Sequence, residues 1–222
     1  MRALVIGASG GIGSAVVQEL GARPEVAEIV TFSRREDGLD ITSQSAVDAA
    51  LGAEEGGVEL IVVATGALQI AGHGPEKSLR QVSADALADQ FAVNTIGPAL
   101  ILRHAPRLLP RDRRAVLAVL SARVGSIGDN GLGGWYGYRA SKAALNQILR
   151  SASIEIARTH KQAICAALHP GTVATSFTRD FVAPEKATPP DEAARNLLAV
   201  MAGLTPEQTG GFFDYAGREI PW

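Results

Sequence analysis

The sequence predicts an α/β fold built on a doubly wound parallel sheet, a single domain over residues 1–222, from three observations. Short apolar runs recur along the whole chain, at Ala3 to Ile6, Glu28 to Phe32, Glu59 to Val63, Arg114 to Leu120, Gln162 to Leu168 and Gly211 to Tyr215. Continuous runs of this length suit strands buried on both faces. Segments with helical character separate them, and strand, helix, strand in succession closes a parallel crossover. The third observation is the first turn: Gly7-Ala8-Ser9-Gly10-Gly11-Ile12-Gly13 stands between the first strand and a helix that continues through Ala15 to Leu20.

That turn carries the first functional expectation. Glycines let backbone approach a ligand closely, and the free N–H groups at a helix start, aided by the helix dipole, suit a pyrophosphate. Strand, glycine turn and helix in this order point to a Rossmann-type dinucleotide site with Gly7, Ser9, Gly11, Ile12 and Gly13 at its phosphates. A purely structural turn is the alternative. Ligands of such sheets bind beyond the carboxyl ends of the strands. Ala64-Thr65-Gly66, Ser121 to Ser126 and Pro170-Gly171 all follow expected strands, so they converge on one rim.

The second strand runs into Ser33-Arg34-Arg35, where a dinucleotide fold places the adenosine ribose. An acidic residue there accepts the 2′-hydroxyl of NAD, whereas Arg pairs with the 2′-phosphate of NADP. The expected cofactor is therefore NADP(H), met by Ser33 and Arg34; a solvated basic turn with Glu36 and Asp37 as local partners is the alternative. Asp40, ahead of Ile41 and Thr42, either accepts a bond from the adenine amino group or caps the next helix, a task also open to Thr42 and Ser43.

Tyr138 and Lys142 lie four residues apart in a helical segment running to about Thr159, and residues so spaced share a face. A free phenol titrates at about 10 and a neighbouring ammonium favours its ionised form, so the pair suits proton exchange with a substrate oxygen. Upstream, a helical stretch from Ser83 to about Arg107 carries Asn94 in an apolar portion, and a buried Asn must find partners. Pro98 lacks the N–H that would bond the Asn94 carbonyl, so a kink is expected there, opening backbone to water or ligand.

Composition narrows the partners. The 222 residues carry 21 Lys and Arg against 23 Asp and Glu, interspersed, which favours neither a polyanion nor a membrane surface. Arg103, Arg107, Arg111, Arg113 and Arg114 look like a nucleic-acid patch, but they fall at the expected end of the Asn94 helix, where its dipole favours cations. A small molecule is the expected partner, with no nucleic acid and no membrane. Cys165, the one cysteine, lies in an apolar run and reads as packing. No run approaches membrane-spanning length, and the first apolar run stops at Gly7, unlike a signal peptide; a cytoplasmic location is expected.

With these pieces in order, the chain resembles the short-chain dehydrogenase/reductase family over essentially its full length. Gly7, Gly11 and Gly13 match that family's Gly-x-x-x-Gly-x-Gly turn, Asp40 its adenine contact, and Asn94 its central-helix Asn. Tyr138 and Lys142 match its Tyr-x-x-x-Lys, and Pro170-Gly171 its nicotinamide-side turn. Ser121 to Ile127, Gly133 to Asn146 and Gly211 to Trp222 look most like the C-factor and Sniffer carbonyl-reductase branch.

The resemblance implies an NADP(H)-dependent oxidoreductase acting on a carbonyl or alcohol substrate. Tyr138 would be the general acid/base, Lys142 would lower the phenol pKa and hold the nicotinamide ribose, and Asn94 would position a water linked to Lys142. Ile41, Ala64, Gly66, Val173 and Thr175 would complete the cofactor contacts. A homodimer or homotetramer through the Asn94 and Tyr138 helices is also implied.

Two departures stand out. Val63-Ala64-Thr65-Gly66 replaces the Asn-Asn-Ala-Gly of many relatives, and Ser121-Ala122 replaces a pair of serines whose second member usually holds the substrate oxygen. Ser126, twelve residues before Tyr138 and close to the family spacing, is expected to take over that role. The missing serine and the C-factor likeness leave a dinucleotide-binding signalling or regulatory protein with weak turnover as the alternative. A sugar-nucleotide epimerase or dehydratase is a third reading, for which the chain leaves little room for a substrate domain. The loops expected over the substrate, Ala67 to Gln81 and Thr175 to Pro190, carry no diagnostic group.

Overall fold

The computed structural model describes residues 1–222, the side chain of Pro184 excepted. In chain order its elements are β1 (Arg2–Ile6), α1 (Gly11–Gly21), β2 (Glu28–Phe32), α2 (Gln44–Gly52), β3 (Leu60–Val63), α3 (Ala84–Phe91), α4 (Gly97–Leu102) and α5 (Ala105–Leu108). They continue with β4 (Ala115–Leu120), α6 (Tyr136–Ile156), β5 (Ala163–His169), α7 (Pro190–Gly203) and β6 (Gly211–Asp214). The strands form one six-stranded parallel sheet in the order β2-β1-β3-β4-β5-β6. The chain reverses its direction of travel across the sheet between β1 and β3, the switch point at which such sheets open a crevice for ligands.

Side chains alternate along each strand, and the alternation sorts the core into two layers. Leu4, Ile6, Ile61 and Val63 pack with Val47 and Leu51 of α2, Ile101 of α4 and Leu145 and Leu149 of α6. Ala3, Val5, Leu60 and Val62 face the other way, onto Val16 and Leu20 of α1 and Leu197 and Met201 of α7. Both faces are covered, which is why the strands read as unbroken apolar runs. Cys165 is sealed in the first layer, and burial pushes its thiol pKa up to about 12, so it is packing material at neutral pH.

The helix expected from Ser83 to Arg107 is broken into pieces. Ser83 caps α3, its Oγ accepting the Ala86 N–H at 3.3 Å. After Phe91 the ladder widens into a π turn over Ala92–Ile96, with the Gly97 N–H reaching back five residues to the Ala92 carbonyl. Pro98 lies just beyond and cannot donate to the Asn94 carbonyl, so the irregularity expected there takes the form of a π turn.

Two of the nearby arginines serve helix ends other than their own. Arg107 donates to the Leu51 and Glu54 carbonyls at the end of α2. Arg114 bonds the Met201, Ala202 and Leu204 carbonyls at the end of α7 at 2.8, 3.1 and 3.0 Å. Arg103 and Arg107 stand at the ends of α4 and α5 as the dipole reading expects, while the carbonyls that Arg107 and Arg114 bond belong to other helix ends, which come together only on folding. Among the described residues no helix is long and apolar enough to cross a membrane.

Candidate active site

The glycines of the first turn divide by task. Gly7 has φ +90°, and a Cβ there would lie 2.7 Å from the Ala64 carbonyl oxygen; one on Gly13 would lie 2.2 Å from that of Gly7. These two let β1, β3 and α1 close on one another. A Cβ on Gly11 would instead meet Thr175 Cγ2 at 2.4 Å, across a cleft. Helix α1 starts with no side chain capping it at Gly10 and no acid in its first turn. The amides of Gly11, Ile12 and Gly13 precede the first intrahelical bond, from Ser14 N–H to the Gly10 carbonyl at 2.8 Å. Uncapped amides at a bare helix start fit the pyrophosphate of a dinucleotide.

The cleft, about 550 Å³, runs from Gly10–Ile12 past Ala64 and Gly66 to Tyr138 and Lys142, with Pro170, Gly171, Val173 and Thr175 opposite. Gly7, Ser9, Gly13, Ser33, Arg34, Asp40 and Ile41 lie outside its lining. At the end of β2, Ser33 is buried and turned inward: its Oγ accepts the Glu36 N–H at 3.1 Å and bonds Asp37 Oδ2 at 3.3 Å. The Ser33 hydroxyl is thus engaged in local turn bonds. Asp37 also accepts the Ser33 N–H at 2.7 Å, so it serves the turn, and Arg34 and Arg35 are exposed.

Asp40 and Ile41 are likewise committed elsewhere. Asp40 Oδ1 accepts the Thr42 hydroxyl at 2.7 Å and the Thr42 N–H at 2.9 Å, bonds that hold its carboxyl below the usual range. Ser43, not Asp40, caps α2. The Ile41 side chain packs where a Cβ on Gly97 would sit, 2.7 Å from that position, and joins the core, which leaves only its backbone for the expected cofactor contact.

Around Asn94 the hydrogen bonding is complete. Oδ1 accepts the Ala67 N–H at 2.9 Å, while Nδ2 donates to the Ala67 carbonyl and to Gln90 Oε1, each at 2.8 Å. The amide thus pairs with Ala67 as a neighbouring strand would, and it fixes the loop after β3. A Cβ on Gly66 would lie 3.1 Å from Asn94 Oδ1 and 3.4 Å from Lys142 Nζ, so glycine is what brings backbone between them.

Lys142 Nζ donates to the Leu120 carbonyl at 2.9 Å and lies 5.9 Å from the Tyr138 ring centroid. Both side chains are buried. Burial raises the phenol pKa above its ordinary value and lowers that of Lys142 to about 8. The expectation that the ammonium lowers the phenol pKa is corrected for this geometry: desolvation outweighs the attraction.

The serines do not stand as expected. Ser126 is buried outside the cleft lining, its Oγ accepting the Asp129 N–H at 3.0 Å. A 3₁₀ turn over Arg123–Gly125 redirects the chain, and a Cβ on Gly125 would lie 2.8 Å from Lys142 Cβ. Ser121 and Ala122 line the cleft, but Ser121 Oγ donates to Asn146 Oδ1 at 2.6 Å. Ala122 lines the cleft with a residue that carries no hydroxyl.

Residues that local patterns did not single out complete the site. Trp135 and Phe177 bring their rings 6.3 and 6.0 Å from that of Tyr138, and Phe181 stands 6.0 Å from Trp135. The loop after Thr175 therefore does supply distinctive groups, two aromatic rings. Arg123 reaches the cleft while paired to Asp129 at 3.3 Å and Asp214 at 3.1 Å. His169 lines it too, and burial holds its pKa down at about 4, so it is neutral at pH 7. The Gly133-Gly134 pair ahead of Trp135 was a legible sign of an unusual turn.

Comparison with known proteins accords with this arrangement. The short chain dehydrogenase family profile matches residues 38–186, more than half of the chain. The 1-hydroxy-2-glutathionyl-2-methyl-3-butene dehydrogenase of Rhodococcus sp. is 33% identical over 99% of this chain and 98% of its own. The C-signal protein of Myxococcus xanthus is 40% identical over 61% of this chain and 78% of its own. Among solved structures, the carbonyl reductase Sniffer of D. melanogaster superposes with a TM-score of 0.84 at 21% identity, covering 100% of this chain and 99% of that one. The NADPH-bound carbonyl reductase from chicken fatty liver gives 0.80 at 24% identity, covering 100% and 98%. The chain belongs to the short chain dehydrogenase family, a family of oxidoreductases.

Proposed function

We propose that the protein is an NADPH-dependent carbonyl reductase, with Tyr138 giving the proton and a small aldehyde or ketone receiving it. The observation that carries this reading is the burial of Tyr138 beside Lys142 at one end of a cleft whose other end is the bare start of α1. Bound there, NADPH would supply the hydride. Gly11 and Ile12 would meet its pyrophosphate, Arg34 its 2′-phosphate, and Lys142 its nicotinamide ribose. Tyr138, kept protonated by burial, holds the proton that the carbonyl oxygen needs during reduction. The Asn94 side chain would hold the backbone at Ala67, and its main-chain carbonyl, to which Pro98 cannot donate, would hold a water near Lys142. The family's NADPH-bound carbonyl reductases support the cofactor and the reaction class.

The whole chain would act as one domain in the cytoplasm. It would assemble as a homodimer or homotetramer, the partner covering Ile96 beside α4 and Ile154 on α6, which are 49% and 52% exposed.

A panel of aldehydes and ketones assayed for NADPH consumption, in parallel with NADH, tests the reading. Turnover with NADPH and an Arg34→Asp variant that turns towards NADH are expected. The arginine–phosphate bonds are each worth about 1.5 to 3 kcal/mol, so equal use of both cofactors by the native protein would remove the role given to Arg34. A second reading, a C-signal-like regulatory protein with weak turnover, is favoured by the Ala122 methyl in the cleft and by the likeness to that relative.

A further inference from the structure

Glu76 is a carboxylate buried where the helix of Tyr138 begins, 5% exposed. Helix α6 has no cap of its own, because Trp135 ahead of it makes no side-chain capping bond. Glu76 provides for two of its amides. Its carbonyl oxygen accepts the Trp135 N–H at 2.6 Å, and Oε2 accepts the Gly137 N–H at 3.1 Å. The next residue is Tyr138.

The remaining carboxylate oxygen is wedged between helices. A Cβ on Gly137 would lie 2.9 Å from Glu76 Oε1, with Gln90 Cγ and Leu87 Cδ2 of α3 at 3.3 and 3.4 Å. Oε1 itself has no hydrogen-bond partner within the described protein. Leaving a buried acceptor unpaired costs stability, so a cap chosen for stability alone would not be built this way. The backbone beside it is strained at one residue: Gly133 and Gly134 take φ of +65° and +66° freely, but Trp135 follows at +52°, a conformation a bulky residue rarely adopts. This left-handed run delivers the Trp135 ring to the cleft beside Tyr138.

We propose that Glu76 is a positioning residue for the reaction. Its main-chain carbonyl holds the Trp135 amide in any variant, while its side chain ties the Gly137 amide and so sets the first turn of α6 against the left-handed turn, placing the Tyr138 hydroxyl and the Trp135 ring against the substrate. The inference rests on the reading of Tyr138 as proton donor. The cofactor's phosphate end is held by α1, so loss of the tie affects kcat and leaves NADPH affinity in place.

Glu76→Ala and Glu76→Gln decide it, each made also in a Trp222→Phe background, where Trp135 is the remaining tryptophan of two. Glu76→Ala is expected to lower kcat by about 10²-fold, the scale of a 1 Å misplacement, with NADPH Kd unchanged and Trp135 emission shifted to the red. Glu76→Gln keeps an oxygen for the Gly137 amide, so it should retain kcat within a few-fold and the native emission. If Glu76→Ala does not fold, Gly137→Ala displaces the carboxylate without removing it and should reproduce both changes.

Native kcat in the Ala variant, equal losses in the Ala and Gln variants, or unmoved Trp135 emission would overturn the proposal. Trp135 emission is read without turnover. A native protein that reduces no carbonyl, with emission that still answers to Glu76, therefore refutes the reductase reading and the catalytic part of the inference while leaving the tie itself standing.

Discussion

Lys142 Nζ lies 5.9 Å from the centre of the Tyr138 ring and gives its hydrogen bond to the Leu120 carbonyl, 2.9 Å away. The two residues share a face of α6, as their spacing requires, yet the strand beside them claims the ammonium. Desolvation then sets both proton affinities: the phenol keeps its proton more tightly than in water and the ammonium more loosely. A protonated phenol is the form that the proposed reduction needs.

Tyr138→Phe removes the hydroxyl and leaves the ring in its aromatic cluster. Turnover should fall by about 10²- to 10⁴-fold, the usual contribution of a positioned acid, at unchanged thermal stability and NADPH affinity. Steady-state rates and a binding titration on the same preparation check this. Near-native rates would take the proton away from Tyr138.

Lys142 makes stability depend on alkaline pH. Its folded pKa of about 8 lies below the ordinary 10.5. Below about 8 both folded and unfolded chains hold the proton, and the full cost of burying the charge is present. Between about 8 and 10.5 the unfolded chain holds more protons than the folded one, so stability rises with pH, by at most about 1.4 kcal/mol per unit. Lys142→Met lacks this dependence. The stability of the Met variant minus that of the native protein should therefore decline from pH 7.5 to pH 10 in matched urea titrations, and a constant or rising value would contradict the burial argument.

The strands and the crevice were legible in the sequence because burial on both faces writes itself as unbroken apolar runs, and because few turns other than ligand cradles put glycine at Gly7, Gly11 and Gly13 together. Tyr138 and Lys142 were legible as a pair because helical spacing is local. Ser126 was misread since its direction depends on the 3₁₀ turn at Arg123–Gly125, which no nearby residue announces. Asp40 was ambiguous on its face: Thr42 takes one of its carboxylate oxygens, and Ser43 takes the cap of α2. Glu76 was out of reach: its bond to Gly137 spans 61 residues, and a single charged residue in a loop otherwise reads as solvated.

Gly11→Ala separates cofactor binding from folding. The new methyl group would sit 2.4 Å from Thr175 Cγ2, the end of a side chain that can turn away, so the fold should persist. It would also stand where a pyrophosphate must approach the amides of α1. NADPH Kd should rise about tenfold or more, equivalent to at least about 1.4 kcal/mol, with little change in Tm. Gly13→Ala, 2.2 Å from a backbone oxygen, should fail on stability instead. Unchanged NADPH affinity in Gly11→Ala would mean that the cofactor lies elsewhere.

Ala122 offers a gain of function. Its backbone is extended, with φ −146° and ψ 142°, which serine adopts as readily as alanine, and it lines the cleft that Ser126 does not reach. Ser121 is tied to Asn146, so neither Ser121 nor Ala122 offers a free hydroxyl to a substrate oxygen in the cleft. One donor to a developing oxyanion is worth about 10²- to 10³-fold in kcat when it is fully preorganised. A newly introduced serine has no evolved partners to orient it, so Ala122→Ser should recover part of that range, at least about tenfold. Ser126→Ala should leave kcat near native, because its hydroxyl is spent on the Asp129 amide. Steady-state kinetics on the two variants with one carbonyl substrate decide the matter. A large loss in Ser126→Ala would restore Ser126 to the reaction. No gain in Ala122→Ser would mean that Tyr138, a backbone amide or a bound water already holds the oxygen.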